Sequence, residues 1–162
     1  MSQTFYLKYR PQTFSDLDST NAREELIKTF SSGKIPHAFL FMGTKGIGKT
    51  SAARIVAKAV NCERDGLQTT DYRLQHNENN SSRQKPVDSS PTYEPCNKCS
   101  SCISITNGSN VDVLEIDAAS FTGVDDIRDL REKIRLAPSG SKYKVYIIDE
   151  VHRLSGSAFD AL

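Results

Sequence analysis

The chain has 162 residues, a formal net charge of +1, 37% hydrophobic residues and four cysteines, which is the size of one domain or part of one. Near-neutral charge argues neither for a protein that coats nucleic acid nor for an acidic tail, the longest apolar runs, such as Ala38–Met42, fall far short of the ~20 residues of a membrane span, and the opening MSQTFYLKYRP lacks the apolar core of a secretory signal. Three of the four cysteines fall within seven residues, a pattern of cytosolic thiols and not of a secreted disulfide framework, so the expected setting is cytoplasmic with no membrane association.

Charge is uneven: the first 60 residues hold nine Lys and Arg against four Asp and Glu, the rest 12 against 16. In chain order, Ala22, Leu26, Ile27 and Phe30 recur at helical spacing and predict a helix over Asn21–Ser32, with Thr20 or Asn21 as N-cap and Gly33 as stop. The apolar run 37–42 predicts a short buried strand. A helix over Thr50–Val60 follows, its apolar face built by Ala52, Ala53, Ile55, Val56, Ala57, Ala59 and Val60. Residues 63–95 contain five apolar residues in 33, too few to offset the entropy of ordering, and read as a flexible surface insertion. Val111–Ile116 alternates as a second strand, Val124–Leu136 is an amphipathic helix closed by Pro138, Lys144–Ile148 reads as a third strand buried on both faces, and Ser155 opens a last helix. Helices alternating with short apolar strands argue for a parallel sheet covered on both sides.

Between the first strand and its helix lies Gly43-Thr44-Lys45-Gly46-Ile47-Gly48-Lys49-Thr50, which satisfies G-x-x-x-x-G-K-[ST] at every fixed position. The glycines let successive backbone N–H groups turn toward phosphate oxygens at the positive end of the following helix. Lys49 supplies a point charge for the terminal phosphates, and the Thr50 hydroxyl is a ligand for Mg²⁺. About 100 residues later Val145-Tyr-Ile-Ile-Asp149-Glu150 is an apolar strand ending in two carboxylates. Asp149 falls at the end of the strand where parallel sheets bind ligands and would hold Mg²⁺. Glu150 beside it is placed to polarise an attacking water. Together these make Lys49, Asp149 and Glu150 the candidate catalytic set.

Cys96-x-x-Cys99-x-x-Cys102 puts three thiols in one knuckle, and Cys62 offers a fourth. Four thiolates at about 2.3 Å are the ligand set of a closed, structural Zn²⁺ site. His76 is a rival fourth ligand, and an iron–sulfur cluster is an alternative that nothing else in the sequence calls for. Zinc on this set would pin together the two ends of the 63–95 insertion.

The phosphate loop in the setting His37-Ala-Phe-Leu-Phe-Met42, the cysteine set, Leu114-Glu-Ile-Asp-Ala-Ala-Ser120, Lys144-Val-Tyr-Ile-Ile-Asp-Glu-Val-His152 and the opening Tyr9-Arg-Pro-Gln-Thr-Phe14 resemble the gamma/tau subunit family of the bacterial DNA polymerase III clamp loader. The resemblance covers nearly all of the chain outside 63–95. It implies an α/β fold of the P-loop NTPase (AAA+) class, a three-layer parallel sheet with an inserted zinc-binding knuckle. The expected divisions are a partial AAA+ domain over 1–162, a zinc-binding insertion over 62–102, and the rest of the nucleotide-binding core over 103–162. It also implies ATP, Mg²⁺ and Zn²⁺ as cofactors. The nucleotide-binding residues would then be Gly43 through Ser51, with Arg10 and Pro11 near the adenine. Other loader subunits in a hetero-oligomeric ring, a sliding clamp, the polymerase core and primer–template DNA would be its partners. That family's core has five strands, of which three fall within this chain, so the sequence reads as an N-terminal portion without the sensor strand or the arginine finger. Thr122 is the one residue after Ser120 suited to a DNA phosphate. Two readings remain open: an ATPase subunit of the clamp loader, and a non-hydrolysing, zinc-stapled module that binds nucleotide or a partner.

Overall fold

The computed structural model describes residues 9–64, 93–120, 130 and 132–161. Four α-helices are described, α1 (Thr20–Ser31), α2 (Lys49–Asn61), α3 (Ser100–Thr106) and α4 (Gly156–Ala161), with strands β1 (Val113–Asp117) and β2 (Val145–Asp149). The strands pair in parallel, with Val113 opposite Val145 and Asp117 opposite Asp149, so both strand ends that carry carboxylates lie at one edge. A further helical turn covers 132–134; it belongs to the helix expected over Val124–Leu136, most of whose earlier part lies outside the described residues.

Helix α2 is the centre of the packing because its sequence is apolar on more than one face. One side packs Ala52, Ile55, Val56, Ala59 and Val60 against Phe14, Leu17, Leu26 and Phe30, and the other sets Ala57 against Ile105 and Ile147. A chain of rings extends the first cluster: Phe14 and Phe30 have centroids 4.8 Å apart, and Phe39 stacks between Phe30 and Phe41 at 6.3 Å on each side. Such ring pairs add to the area they bury. Helix α1 begins one residue earlier than expected, with Ser19 and not Thr20 or Asn21 as its N-cap. It ends one residue earlier than expected, at Ser31 with Ser32 as C-cap, and the expected stop, Gly33, has φ 70°, a left-handed conformation that glycine adopts without a Cβ penalty.

Four sequence expectations are corrected. The insertion expected to be flexible over 63–95 is anchored at its end, where Glu94 and Pro95 are buried and Glu94 accepts from Phe14 and Ser15 N–H, while 65–92 lie outside the described residues. The sheet has two strands among the described residues and not three. Residues 37–42 alternate as a strand does, Phe39 and Phe41 packing on the core, but Leu40 and Met42 are 71% and 81% exposed. The segment forms no ladder, because ladder bonds need a neighbouring backbone and no described strand lies beside it. For the same reason β2 is half-buried along its length, only Ile147 being buried, and not covered on both faces. Helix α3 was absent from the sequence reading; it starts at the knuckle, where the Cys99 sulfur accepts the Cys102 N–H.

The turn into β2 is fixed by one buried carboxylate. Asp112 accepts the N–H groups of Ser139, Gly140 and Ser141 at 2.8–2.9 Å, and its carbonyl accepts Val145 N–H at 2.8 Å. The Asn61 side chain takes Tyr143 N–H at 2.8 Å, and Lys142 Nζ donates to the Cys62 carbonyl at 2.8 Å. The loop before β2 is thereby stitched to the end of α2, which sets where Asp149 emerges.

Candidate functional site

The loop Gly43–Gly48 joins the 37–42 segment to α2. Gly43, Gly46 and Gly48 have φ of 148°, 89° and 93°, values open to glycine and strained for other residues. Gly48 is also the N-cap of α2, so the first N–H groups of a 13-residue helix face the loop. Residues Gly43–Ile47 are exposed, and Gly48, Lys49, Thr50 and Ser51 are half-buried. The Lys49 ammonium folds back over its own loop, donating to the carbonyls of Gly43 and Thr44 at 3.0 Å each.

The decisive contact joins residues 99 positions apart: the Thr50 hydroxyl donates to Asp149 Oδ2 at 2.9 Å. The parallel register and the Asp112 turn deliver Asp149 to the N-terminus of α2, so the two oxygens expected to share Mg²⁺ are already adjacent. Mg²⁺ takes oxygen ligands from one or two protein groups and keeps the rest for water and phosphate, and this pair fits that demand. Glu150 follows with φ 53°, a left-handed conformation in a non-glycine residue, of the strained kind found at functional sites. Its carboxylate lies 3.4 Å from His152 Nδ1, and both side chains are exposed. Sequence reading gave Glu150 a role and His152 none. Arg10 and Pro11 are half-buried in the segment leading to Phe14, and the Gln12 side-chain amide donates to the Arg10 carbonyl at 3.0 Å.

At the other end of α2 the four cysteines converge. The sulfurs of Cys62, Cys96, Cys99 and Cys102 all lie within 4.8 Å of one another, with Cys96 and Cys102 at 4.0 Å. Tetrahedral Zn–S bonds of about 2.3 Å put sulfurs about 3.8 Å apart, so small shifts close the set around an ion. The sulfurs also accept backbone N–H groups, Cys96 from Lys98 and Cys99, Cys99 from Cys102, and Cys62 from Cys96, at 3.3–3.5 Å, the outer contacts that orient metal ligands. The Cys102 thiol, hydrogen-bonded to the Cys62 sulfur, holds Cys62 well below the ordinary thiol value. Cys102 is pushed up by the same bond and then by burial. Binding a cation there would displace the thiol protons. His76 lies outside the described residues, as does Thr122. Glu63, just after Cys62, accepts from Ser100 Oγ at 2.5 Å and Ser101 N–H at 3.0 Å, which fixes α3 against the end of α2.

Comparison with known proteins bears on this arrangement. The family model described as DNA polymerase III, delta subunit, matches residues 19–85 and 80–162. The chain belongs to that family. The chain is 49% identical over 164 residues to the DNA polymerase III subunit tau of Bacillus subtilis, covering 99% of this chain and 24% of that protein. It is 42% identical over 161 residues to the tau subunit of Escherichia coli, covering 99% and 21%, and 41% identical over 156 residues to the gamma subunit of Buchnera aphidicola, covering 96% and 36%. The resemblance to gamma/tau subunits read from the motifs is borne out. The chain spans about a quarter of the length of its tau relatives and about a third of that gamma relative. Among the described residues no helix is long and apolar enough to cross a membrane.

Proposed function

We propose that this chain is the nucleotide-binding part of a DNA polymerase III clamp-loader subunit. It binds Mg²⁺ and ATP at residues 43–51 and uses binding and hydrolysis to load a sliding clamp on primed DNA. The observation that carries this reading is the 2.9 Å bond between Thr50 and Asp149, which joins the end of the phosphate loop to the end of an apolar strand. Lys49 exchanges its two loop carbonyls for the terminal phosphates, the N–H groups of Gly46–Ser51 cradle them, and Arg10 and Pro11 border the adenine. Thr50 and Asp149 would hold Mg²⁺, which supplies positive charge to the phosphates when bound. Glu150 takes a proton from the attacking water. Partner subunits in a ring, the clamp, the polymerase core and primer–template DNA complete the working assembly.

Cys62, Cys96, Cys99 and Cys102 would hold one structural Zn²⁺, since four thiolates leave no position open for chemistry.

The test is Lys49→Ala in the chain at its natural length, read by titration with a fluorescent ATP analogue. Affinity should fall at least about 100-fold, or ~2.8 kcal/mol at 1.4 kcal/mol per decade, and an unchanged affinity would show the loop assignment to be wrong. Binding without turnover in the assembled complex would favour the non-hydrolysing module instead.

A further inference from the structure

Residues that flank the cysteine knuckle hold the segment leading from Arg10 into the core. Glu94, two residues before Cys96, is 8% exposed, and a carboxylate taken out of water must be met by donors. That segment supplies three donors: Phe14 N–H at 2.8 Å on one oxygen, and Ser15 N–H at 3.0 Å with Ser15 Oγ at 2.8 Å on the other. Asn97, one residue after Cys96, has φ 56°, and its amide works in both directions. It donates to the Gln12 carbonyl at 3.3 Å and accepts from Lys58 Nζ at 2.7 Å. Lys58, on α2 and 2% exposed, also donates to the Gln12 carbonyl at 2.8 Å and the Gln12 side chain at 2.7 Å. Gln12 passes the tie to the Arg10 carbonyl at 3.0 Å.

Residues 10–15 are thus bound by two side chains that bracket a metal-ligand position and by a lysine on the helix that ends at another, Cys62. The phosphate loop lies at the opposite end of that helix, 13 residues away, or about 20 Å at 1.5 Å per residue. We propose that the four-cysteine knuckle is the anchor that positions residues 10–15 at the base end of the nucleotide, with Glu94, Asn97 and Lys58 as positioning residues. Metal occupancy then sets affinity for the nucleoside and leaves the phosphate end alone. This inference rests on the nucleotide-site reading above, in which Arg10 and Pro11 border the adenine.

The experiment compares ATP with inorganic tripolyphosphate as ligands of the natural-length chain, alongside hydrogen exchange at Phe14 and Ser15 and metal content. In Glu94→Gln, metal content should be unchanged, exchange at both amides faster, and ATP affinity down about tenfold (1.4 kcal/mol), with tripolyphosphate affinity unmoved. Chelating the metal from the unsubstituted chain should give the same split. Ser15→Ala, an exposed position, should give a smaller one and serves where Glu94→Gln does not fold. Equal losses for ATP and tripolyphosphate, or faster exchange with ATP affinity unmoved, would overturn the anchor while leaving the nucleotide site standing. Lys49→Ala is the separate control: it should weaken both ligands, and if it weakens neither, the nucleotide site falls and this inference with it.

Discussion

Lys58→Met keeps the length and apolar stem of the side chain and removes its charge, so two opposing effects can be weighed. Burial pulls the Lys58 ammonium down from 10.5 to about 8. At 1.36 kcal/mol per unit, and allowing for screening by residual water, carrying that charge inside costs on the order of 2–3 kcal/mol, which methionine would recover. Against this, three acceptors at 2.7–2.8 Å lose a charged donor. Hydrogen bonds to charged groups are worth about 1.5–3 kcal/mol each, roughly 5–9 kcal/mol in all. The Gln12 carbonyl keeps the Asn97 amide at 3.3 Å, which trims the loss. The bonds win, and the variant should be about 2–7 kcal/mol less stable around α2, the kept Asn97 bond placing it toward the lower end. Native-state hydrogen exchange of the Lys49–Asn61 amides reads this directly, because 3 kcal/mol is about 150-fold faster exchange at 1.4 kcal/mol per decade. A methionine variant as well protected as the parent would show that desolvation dominates and that Lys58 is no tie.

Elemental analysis should return about one Zn²⁺ per chain, falling sharply in Cys99→Ser, and a metal-free yet fully folded chain would count against the four-thiolate site. Asp112 is held down to about 2, from 3.8, by the N–H groups of Ser139, then Gly140 and Ser141. A carboxyl depressed in the folded state contributes stability that is complete above its unfolded value and lost as pH falls through the folded one. Asp112→Asn should therefore flatten the stability profile between about pH 4 and pH 2, and parallel profiles for the two proteins would refute the role given to those three bonds.

What was legible in the sequence was what local spacing determines. The phosphate loop could be read because each fixed position has its own backbone or side-chain task, and α2 because its apolar face repeats at helical period. Asp149 could be read because an apolar run ends there. Long-range ties were not legible. Nothing near Glu94 tells that its oxygens will meet Phe14 and Ser15, some 80 positions away. Asn110-Val-Asp112 looks like an ordinary strand entry, although Asp112 gathers a whole turn. Lys58 left a faint signal, a single cation inside the apolar run from Ile55 to Val60, where a solvated lysine would be out of place. The pairing of 37–42 was misread because apolar alternation reports which face meets the core and says nothing about whether a neighbouring backbone is present.

Asp149 offers the sharpest separation of fold from chemistry, because its carboxylate has two distinct tasks. It accepts the Thr50 hydroxyl through Oδ2, and its other oxygen accepts the Glu150 N–H at 2.9 Å. An asparagine in the same place has one carbonyl oxygen and one amide. It can keep one acceptor bond, so the cost to folding is about one hydrogen bond, ~1 kcal/mol. What it cannot keep is the negative charge, and a hard divalent cation held by few protein oxygens depends on that charge. In Asp149→Asn, exchange protection of α2 should stay within about tenfold of the parent, and ATP should still reach the phosphate loop through Lys49 and the backbone. The gain in ATP affinity on adding Mg²⁺ should vanish. If Mg²⁺ strengthens binding in the variant as much as in the parent, the ion is held elsewhere, and the Thr50–Asp149 contact is a packing bond and not the seat of the metal.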